Sequence, residues 1–417
     1  MRYLDKLLDG VTVEWKVLGD ICDFQNGFAF KSNLFKNKGL PIVRITNIDG
    51  TNVDLTDVKY FAPTDYNSGN PLNYSIAKGE VLIAMSGATT GKIGYYNLNE
   101  TAYLNQRVGK FIPNKTIVNN RYLYHFLLTK TDFMNLLAGG GAQPNLSSNI
   151  LKEKLKVPIP CPENPEKSLA IQKEIVRILD TFTELTAELT AELTARKKQY
   201  NYYREELFNF DKEAVEWMPL GEIGELVRGN GLQKKDFTQI GVPAIHYGQI
   251  YTYYGTYTSK TISFVSIETA EKLRKVNNGD VVITNTSENV EDVGKAVVYL
   301  GEDQAVTGGH ATIFKPSKYI SGKYLAYFTQ TEKFASQKRK YAKGTKVIDV
   351  SATDMSKIQI PLPTIEEQER IVAILDKFDT LTTSISEGLP KEIELRQKQY
   401  EYYRDMLLTF PKDKVKA

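Results

Sequence analysis

Residues 87–92 are the first place where the residue types suggest chemistry. The segment Gly-Ala-Thr-Thr-Gly-Lys has the composition of a phosphate-binding loop, but three residues separate its glycines instead of four. Ile93 also stands where a serine or threonine would bind Mg²⁺. Nucleotide binding is therefore disfavoured. Two interpretations remain open, a purely structural turn and a turn that presents polar side chains to DNA, namely Ser86, Thr89, Thr90 and Lys92.

Other catalytic patterns are incomplete. Asp54 with Asp57-Val58-Lys59 has the residue types of a nuclease centre, but the spacing is short and exposed loop charges are common. Neither Asn70-Pro71 nor Asn164-Pro165 continues into the motif of an adenine methyltransferase, and no glycine-rich cofactor loop is visible. The chain has two cysteines and three histidines, so we expect no metal centre. The sequence predicts no catalysis by this chain.

Composition narrows the class of protein. A chain of 417 residues exceeds one typical core, so two or more domains are expected. The net charge of +3 permits nucleic-acid binding without favouring it. No stretch approaches the about 20 apolar residues of a membrane helix, and the N-terminus lacks the apolar run of a signal peptide. We therefore expect a cytoplasmic protein without membrane contact.

The elements that would position these residues occur twice in the sequence. Val13-Glu14-Trp15 recurs as Val215-Glu216-Trp217, and residues 175–180, Ile-Val-Arg-Ile-Leu-Asp, recur as residues 371–376, Ile-Val-Ala-Ile-Leu-Asp. Residues 13–165 and 215–363 agree mainly at framework positions, whereas the segments after them agree almost residue for residue. Such uneven divergence favours two separately varied recognition modules on one fixed frame over a duplication without functional meaning.

The diverged halves have the pattern of mixed α/β domains. Residues 40–45 and 81–85 predict strands, and residues 121–128 and 323–329 predict short helices. Residues 168–210 contain no glycine or proline and predict one long helix. Its steps of three and four residues are typical of a coiled-coil seam, formed by Ile171, Ile175, Ile178, Phe182, Leu185, Leu189, Leu193, Tyr200, Tyr203 and Leu207.

The middle of the long helix repeats a four-residue unit. Thr-Ala-Glu-Leu occurs twice between Thr186 and Leu193, and a further Thr-Ala follows. Each unit would lengthen the helix by about 6 Å. The second helical segment, about residues 365–410, repeats the seam but contains Gly388-Leu389-Pro390, where proline should end or kink the helix. The repeats therefore suggest a ruler between the two domains.

The repeat also predicts a circular arrangement. If the repeat is an approximate two-fold, the long helices are antiparallel and the C-terminus returns to the first domain. Leu4, Leu7 and Leu8 before Val13 match apolar residues before Val215, so the first residues would complete the bundle. The predicted divisions are an N-terminal segment 1–12, a first domain 13–167, a spacer helix 168–210, a second domain 211–364, and a second spacer helix with tail 365–417.

This combination resembles the specificity subunits of type I restriction–modification systems over essentially the whole chain. The resemblance rests on residues 79–94, the Pro-Ile-Pro boundary at 158–160, the Ile-Leu-Asp-x-Phe helices and the Arg-x-Lys-Gln-Tyr-x-Tyr-Tyr-Arg ends. The Thr-Ala-Glu-Leu repeats indicate the type IC, EcoR124-like branch. The resemblance implies an α+β fold in which two α/β target-recognition domains are joined by two long antiparallel coiled-coil helices in a pseudo-two-fold circular repeat.

The family role follows from the same resemblance. Each target-recognition domain would read one half of a split site in double-stranded DNA, and the helices would set the spacer and bind two modification (methyltransferase) subunits. Restriction (endonuclease) subunits would then join. The chain itself would hold no cofactor, since S-adenosylmethionine, ATP and Mg²⁺ are expected on the partner subunits.

Candidate DNA contacts are polar residues at the ends of strands and in loops. Arginine can pair with guanine, and asparagine or glutamine with adenine, through two hydrogen bonds in the major groove. In the first domain the candidates are Arg44, Thr46, Asn47, Ser86, Thr89, Thr90, Lys92, Asn105, Gln106 and Arg107. In the second they are His246, Gln249, Asn285, Thr286, Lys295 and His310. Candidate phosphate contacts are Lys31, Lys234, Lys235, Lys343 and Lys346.

Two tyrosines are candidates for partner binding. Tyr200 and Tyr203 fall on the seam, so Tyr202 points elsewhere, and Tyr402 is its counterpart in the second helix. They would contact the methyltransferase subunits or be ordinarily exposed. Two other functions remain alternatives to DNA recognition. One is a non-catalytic scaffold with duplicated protein- or sugar-binding domains, and the other is a self-sufficient methyltransferase, which the missing motifs disfavour.

Overall fold

A computed structural model describes residue 7 and residues 11–139, 144–211, 213–384 and 386–410. The chain divides into two compact units, Met1–Ala187 with Glu394–Ala417, and Glu188–Ile393. The C-terminal residues therefore belong to the first unit, as the circular arrangement predicts. Leu7 packs against the core of that unit, whereas Leu4 and Leu8 lie outside the described residues. None of the helices described has the length and apolar character needed to cross a membrane.

Among the described residues, the first unit contains ten strands and four helices before the long helix. The strands are β1 (Val13–Val17), β2 (Cys22–Asn26), β3 (Leu40–Val43), β4 (Lys59–Phe61), β5 (Ser75–Ile76), β6 (Val81–Ala84), β7 (Ile93–Tyr95), β8 (Ala102–Leu104), β9 (Val108–Pro113) and β10 (Lys156–Pro160). The helices are α1 (Leu18–Ile21), α2 (Asn120–Leu128), α3 (Thr131–Leu137) and α4 (Ser148–Lys154). The long helix α5 spans Pro165–Leu207.

The second unit repeats this series with additions. Its strands are β11 (Glu216–Pro219), β12 (Gly224–Arg228), β13 (Phe237–Thr238), β14 (Val242–Ile245), β15 (Tyr257–Thr258), β16 (Ser263–Val265), β17 (Arg274–Val276), β18 (Val281–Thr284), β19 (Thr286–Ser287), β20 (Ala296–Tyr299), β21 (Ala305–Thr307), β22 (Ala311–Pro316), β23 (Ile348–Asp349) and β24 (Gln359–Leu362). Its helices are α6 (Tyr247–Thr252), α7 (Ile267–Lys272), α8 (Gly322–Phe328), α9 (Glu332–Tyr341), α10 (Ala352–Met355) and α11 (Ile365–Thr383). The last helix, α12, spans Gly388–Leu408.

The two units share one sheet topology. In the first, the sheets run β2-β9-β6-β7 and β4-β3-β8-β5, and β1 pairs with β10. In the second, they run β12-β22-β18-β20-β15 and β13-β16-β14-β21-β17, so each sheet gains one edge strand, and β11 pairs with β24. Both units place one parallel pair in the second sheet, β3 with β8 and β14 with β21. The fold is α+β, with two repeated domains and a helix of 43 residues.

The central strand β6 shows why these apolar runs form strands. Val81 and Ile83 pack into the core that contains the helices, whereas Leu82 and Ala84 pack into a second core between the sheets. Alternate side chains of a strand point to opposite faces, so a run that is apolar at every position fits a strand covered on both sides. In β18 the same alternation divides Val281 and Ile283 from Val282.

The long helix contributes to a core at each end. In the first unit Ile171, Ile175 and Leu179 are buried, and in the second Tyr200 is buried. Ile178 is half-buried and packs against the first-unit core as the seam predicts, and Leu179, which the predicted seam omitted, is fully buried. The helix begins at Pro165, three residues before the predicted start, since proline suits the first helical position.

The proline of the second helical segment coincides with a helix end. α11 ends at Thr383 and α12 begins at Gly388, whose φ of 79° favours glycine. Pro390 therefore lies in the first turn of a new helix, where its missing N–H has no partner to lose. The predicted segment 365–410 is two helices.

A buried polar frame is also repeated. Oε1 of Gln172 accepts from Asn119 N at 2.7 Å, and Oε1 of the equivalent Gln368 accepts from Ser321 N at 2.9 Å. Each glutamine side chain is fully buried. Because a buried polar group without a partner is costly, these bonds fix α2 and α8 against the long helices in the same way in both units.

Candidate nucleic-acid interface

Loops of the first unit meet at one edge of its two sheets. Residues 44–47 follow β3, residues 86–92 follow β6, and residues 105–107 join β8 to β9. Asn105 N donates to Val43 O at 3.0 Å, and Met85 N donates to Arg107 O at 2.8 Å. The parallel pairing of β3 with β8 brings the ends of these strands to the same edge. We call residues 44–47, 86–92 and 105–107 the first loop face.

The second unit has an equivalent edge. Residues 246–249 follow β14, residues 286–295 follow β18, and residues 308–310 join β21 to β22. Asn285 N donates to His310 O at 2.8 Å, and the Thr286 hydroxyl lies 3.0 Å from Nδ1 of His310. The ring of Tyr247 lies 4.8 Å from that of His310. We call residues 246–249, 286–295 and 308–310 the second loop face.

Backbone hydrogen bonds identify which residues of the two faces are equivalent. The carbonyls of Arg107 and His310 each accept the bond that follows β6 or β18. Arg44 N donates to Asn47 Oδ1 at 3.0 Å, and His246 N donates to Gln249 Oε1 at 3.2 Å, so each pair opens a short helical turn in the same way. The equivalent pairs are therefore Arg44 with His246, Asn47 with Gln249, and Arg107 with His310.

Two predicted base contacts are framework residues in this structure. Asn47 is buried, and its Nδ2 donates to Asp54 O at 3.0 Å and Asp57 O at 3.1 Å. Asn285 is fully buried, and its Nδ2 donates to Val350 O at 2.8 Å. An asparagine amide has two donors and one oxygen, and here both donor and acceptor sides are occupied internally. The prediction that these amides read bases is therefore wrong.

The polar groups of three other predicted DNA contacts, Thr90, Gln249 and Thr286, are largely engaged in hydrogen bonds within the protein. Thr90 is buried, and its hydroxyl donates to Gly87 O at 2.6 Å. Nε2 of Gln249 donates to Ser263 Oγ at 2.5 Å, and Thr286 is buried beneath His310. Sequence alone could not separate these side chains from exposed neighbours of the same type.

The glycine-lysine segment forms a short 3-10 turn over Gly87–Thr89. Gly87 and Gly91 have φ values of 79° and 81°, which are rarely adopted by residues with a side chain. Both glycines are thus explained by backbone conformation. Thr89 is half-buried and donates to Ile45 O at 3.3 Å, and Ser86 and Lys92 are half-buried beside it. The purely structural interpretation therefore explains the turn itself. The Lys92 side chain remains able to contact a ligand.

The remaining candidates are accessible to different extents. Arg44 is half-buried and donates from Nη2 to Asp57 O at 3.3 Å. Lys343 and Lys295 are exposed but form ion pairs with Asp354 at 2.9 Å and Asp292 at 2.6 Å. Within the described part of the chain, the accessible candidates that form no ion pair are exposed Lys31, Thr46, Gln106, Arg107, Lys234, Lys235, His310 and Lys346, and half-buried Asn105 and His246.

The second loop face carries an aromatic stack that the sequence analysis did not single out. The ring of Tyr247 lies 4.5 Å from His246 and 4.8 Å from His310. Burial lowers the pKa of His246, and the electrostatic influence of His310 and Lys234 acts in the same direction. The first loop face has Ile45 at the position of Tyr247. The sequence did contain a signal for this stack. Tyr247 is an aromatic residue directly after the predicted contact His246, at the end of an apolar strand.

The two partner-binding candidates, Tyr202 and Tyr402, lie in similar surroundings. Tyr202 is 61% exposed and Tyr402 is 65% exposed, so neither belongs to a core. Each meets the edge of the next tyrosine, Tyr203 at 5.5 Å and Tyr403 at 5.4 Å. In each unit that second tyrosine stacks on a phenylalanine of another helix. Two equivalent tyrosines are thus held in a fixed orientation towards solvent.

Asp54, one of the residues that suggested a nuclease centre, stabilises a local turn. The Asp54 carboxylate accepts from Thr56 N at 2.9 Å and from Thr56 Oγ1 at 2.6 Å, and these bonds lower the pKa of Asp54. Among the residues that the structure describes, no group of three or more histidine, cysteine or acidic side chains could hold a metal ion. The two loop faces instead carry hydrogen-bond donors and positively charged side chains, which are suited to binding a polyanion.

Comparisons with known proteins agree with this arrangement. The family model of the type I restriction modification DNA specificity domain matches the chain twice, over residues 11–196 and 212–395. The EcoR124I/EcoR124II type I restriction enzyme specificity subunit of Escherichia coli is 37% identical over 422 residues, which cover 99% of this chain and 98% of that protein. The EcoprrI specificity subunit of Escherichia coli is 30% identical and covers 93% of this chain and 92% of its own length.

Solved structures share the fold at low sequence identity. The type I restriction–modification S subunit from M. genitalium superposes with a TM-score of 0.55 at 17% identity, over 99% of this chain and 100% of that one. A chain from a study of complex assembly and conformational transition in the type I R-M system gives a TM-score of 0.60 at 16% identity, over 95% of this chain and 97% of that one.

Proposed function

The chain belongs to the family of type I restriction–modification DNA specificity proteins, and from that premise we propose that each loop face reads one half of a split DNA site. Its role is that of a DNA specificity subunit rather than a protein- or sugar-binding scaffold, because relatives that match nearly its whole length are type I specificity subunits.

One observation carries the proposal. Equivalent positions of the two loop faces hold different side chains, Arg44 against His246 and Arg107 against His310, on a frame whose buried hydrogen bonds are repeated. A common frame places each reader in the same way, whereas the varied side chains decide which base edges are matched. This is the arrangement that two different half-sites require.

We assign the remaining roles as follows. Residues 13–167 and 211–364 are the target-recognition domains, and the helical segments 168–210 and 365–410 set the spacer and bind two methyltransferase subunits, with Tyr202 and Tyr402 in contact. Endonuclease subunits join that assembly in the cytoplasm. From the Thr-Ala-Glu-Leu repeats we propose that the chain belongs to the type IC, EcoR124-like branch. The chain is non-catalytic, and S-adenosylmethionine, ATP and Mg²⁺ bind to the partner subunits.

Methylation mapping tests this proposal. The chain is co-expressed with its neighbouring methyltransferase subunit, and methylated adenines are mapped across the host genome. We expect one split motif, with two short half-sites around a fixed gap. If the complex assembles with S-adenosylmethionine supplied and no split motif is methylated, the proposal fails.

A further inference from the structure

A cavity of about 510 Å³ lies within the second unit. Its wall includes Tyr200 and Arg204 from the end of α5, Asp379 from α11, and the rings of Tyr251 and Tyr254. Ligand pockets of proteins commonly have this size, and they combine apolar walls with a few polar groups. The polar groups of this wall therefore indicate what kind of molecule would fit.

Tyr200 brings an unused hydrogen-bond donor to the cavity. The residue is 6% exposed, and within the described part of the chain its buried hydroxyl finds no acceptor. In the first unit the equivalent Tyr400 hydroxyl bonds Nδ1 of His125 at 2.8 Å. The second unit has Tyr327 at the position of His125, and the Tyr327 hydroxyl donates to Asp376 at 2.6 Å instead. A buried phenol without an acceptor is costly, so a ligand oxygen that accepts from it would be stabilised.

Arg204 adds a positive charge beside that tyrosine. Its Cζ lies 5.2 Å from the centre of the Tyr200 ring, and its buried Nε has no hydrogen-bond partner among the residues that the structure describes. The equivalent Arg404 is paired with Asp405, which accepts from its Nε at 3.0 Å. Glu205 takes the place of Asp405, but its carboxylate accepts from the first backbone N–H of α9 at 3.1 Å. Because hydrogen bonds from a guanidinium to a carboxylate are strong, Arg204 favours an anionic ligand group.

Asp379 supplies the opposite charge on the same wall. Burial raises the pKa of Asp379, and the nearby carboxylate of Asp376 acts in the same direction, so its surroundings compensate the negative charge incompletely. Arg204 and Asp379 both line the cavity, yet no ion pair joins them in the described part of the second unit. The first unit has Thr183 at the equivalent position, three residues after Asp180. A cationic ligand group beside Asp379 would supply the missing compensation.

The other charged side chains of the wall are balanced within the protein. The ion pairs are Glu332 with Arg339 and Lys295 with Asp292. Nζ of Lys338 donates to the carbonyls of Glu291 and Val293 at 3.0 and 2.6 Å. Burial lowers the pKa of Lys338 to about 8, and the charge of Glu291 opposes that change. Tyr200, Arg204 and Asp379 are therefore the groups that a ligand would satisfy.

We propose that this cavity binds a free amino acid with an aromatic or large apolar side chain. The α-carboxylate of the amino acid accepts from Tyr200 and Arg204, and its ammonium group pairs with Asp379. Opposite charges that line one cavity without pairing suit a zwitterion, whereas a simple anion would be repelled by Asp379. The rings of Tyr251 and Tyr254 provide an apolar surface for the side chain. Such a site is independent of half-site reading, since no DNA contact enters it.

Fluorine NMR of the full chain tests the site. The probe is para-fluoro-L-phenylalanine, whose resonance shifts and broadens on binding, and its dissociation constant is measured by titration. Two related probes each lack one charge, para-fluorophenylpropanoate without the ammonium group and para-fluorophenethylamine without the carboxylate. We expect each of these to bind about tenfold more weakly than the amino acid, because each leaves one side of the cavity unsatisfied.

Three variants assign the contacts. Tyr200→Phe and Arg204→Gln should each weaken binding of the amino acid about tenfold and leave binding of the phenethylamine unchanged. Asp379→Asn should bind the amino acid no better than the propanoate, since it removes the charge that pairs with the ammonium group. The matched control is Tyr203→Phe, which removes a hydroxyl of the same helix outside the cavity and should bind like the wild type. Thermal unfolding of each variant establishes that the second unit is folded.

Two results would overturn the site while half-site reading stands. One is a wild-type chain that binds the amino acid no better than both single-charge probes, or binds none of them at millimolar concentration. The other is wild-type affinity in folded Tyr200→Phe and Arg204→Gln. Amide hydrogen exchange that slows in residues 290–296 when the amino acid is added would place the ligand in the cavity, because residues of this segment line it.

Discussion

Oδ1 of Asp180 lies 2.8 Å from Nε2 of the fully buried His125. The other ring nitrogen of His125 bonds the Tyr400 hydroxyl at 2.8 Å, so the histidine joins the long helix α5 to α12 within the first unit. In the second unit the equivalent Asp376 accepts from the Tyr327 hydroxyl at 2.6 Å. One frame position is thus an imidazole in one domain and a phenol in the other.

This difference predicts that mild acid destabilises the first domain through His125. Burial lowers the pKa of His125 below the ordinary value of 6.5, and the nearby Arg121 and Arg404 act in the same direction against Asp180. The unfolded chain therefore binds the proton more readily, so the stability of the first domain is full above about pH 6.5 and declines as the pH falls below it. Limited proteolysis at pH 7.5 and pH 5.5 should show earlier cleavage within residues 13–167 at the lower pH.

The variant His125→Gln is the control, because a neutral amide cannot take up the proton. Its first domain should be less stable at pH 7.5 but lose less on acidification. Equal acid sensitivity in wild type and variant would place the effect elsewhere.

A second prediction separates framework residues from readers. Asn47→Ala removes hydrogen bonds to Asp54 O and Asp57 O, so we expect the first domain to lose about 1–3 kcal/mol of stability. The exposed neighbour Thr46→Ala should change stability little. Denaturant unfolding of both variants measures the free energy of unfolding. An Asn47→Ala protein that is as stable as the wild type but recognises an altered half-site would show that Asn47 reads bases.

A third prediction concerns base reading. Arg107 is exposed in the first loop face, so Arg107→Gln should change the preferred bases of one half-site at a cost of about 1–3 kcal/mol per base pair. The exposed Lys346→Gln should instead weaken binding to all sequences and reduce the salt dependence. Methylation mapping of both variants distinguishes them, and an unchanged motif in Arg107→Gln would contradict base reading by this residue.

A fourth prediction tests the ruler. Deletion of residues 190–193 removes one Thr-Ala-Glu-Leu unit from α5 and shortens it by about 6 Å, which corresponds to a base pair or two of DNA. Four residues make about one turn, so the apolar seam stays nearly in phase. We expect a shorter gap between unchanged half-sites. Alanine at Thr190 and Glu192 keeps the length and should keep the gap, whereas altered half-site bases in the deletion would rule out the ruler.

A fifth prediction concerns assembly. Tyr202 and Tyr402 are exposed at equivalent positions, so Tyr402→Ala and Tyr202→Ala should each weaken association with methyltransferase subunits by about 1–2 kcal/mol. Tyr253→Ala is the matched control, because Tyr253 is 59% exposed but lies outside the long helices. Native mass spectrometry of the complexes reports the stoichiometry. Full assembly by a variant that carries both substitutions would show that Tyr202 and Tyr402 do not bind the methyltransferase subunits.

Much of this protein followed from its sequence. The repeat predicted two similar domains, because Val13-Glu14-Trp15 and the Ile-Leu-Asp helices each occur twice, and continuous apolar runs such as β6 predicted buried strands. The helix break near Pro390 was predictable for the same kind of reason, since proline acts on its own backbone. These features depend on local chemistry or on comparison of the chain with itself.

Only the tertiary structure decided which polar side chains remain accessible. Asn47 and Arg107 are both polar loop residues, yet the first is buried under hydrogen bonds to residues 54 and 57 and the second is exposed. Likewise, the contact of Tyr247 with His310 joins two residues that are 63 positions apart in the sequence, since 310 − 247 = 63. Burial and such pairings depend on how distant strands meet, and a side chain's type does not record its neighbours across the fold.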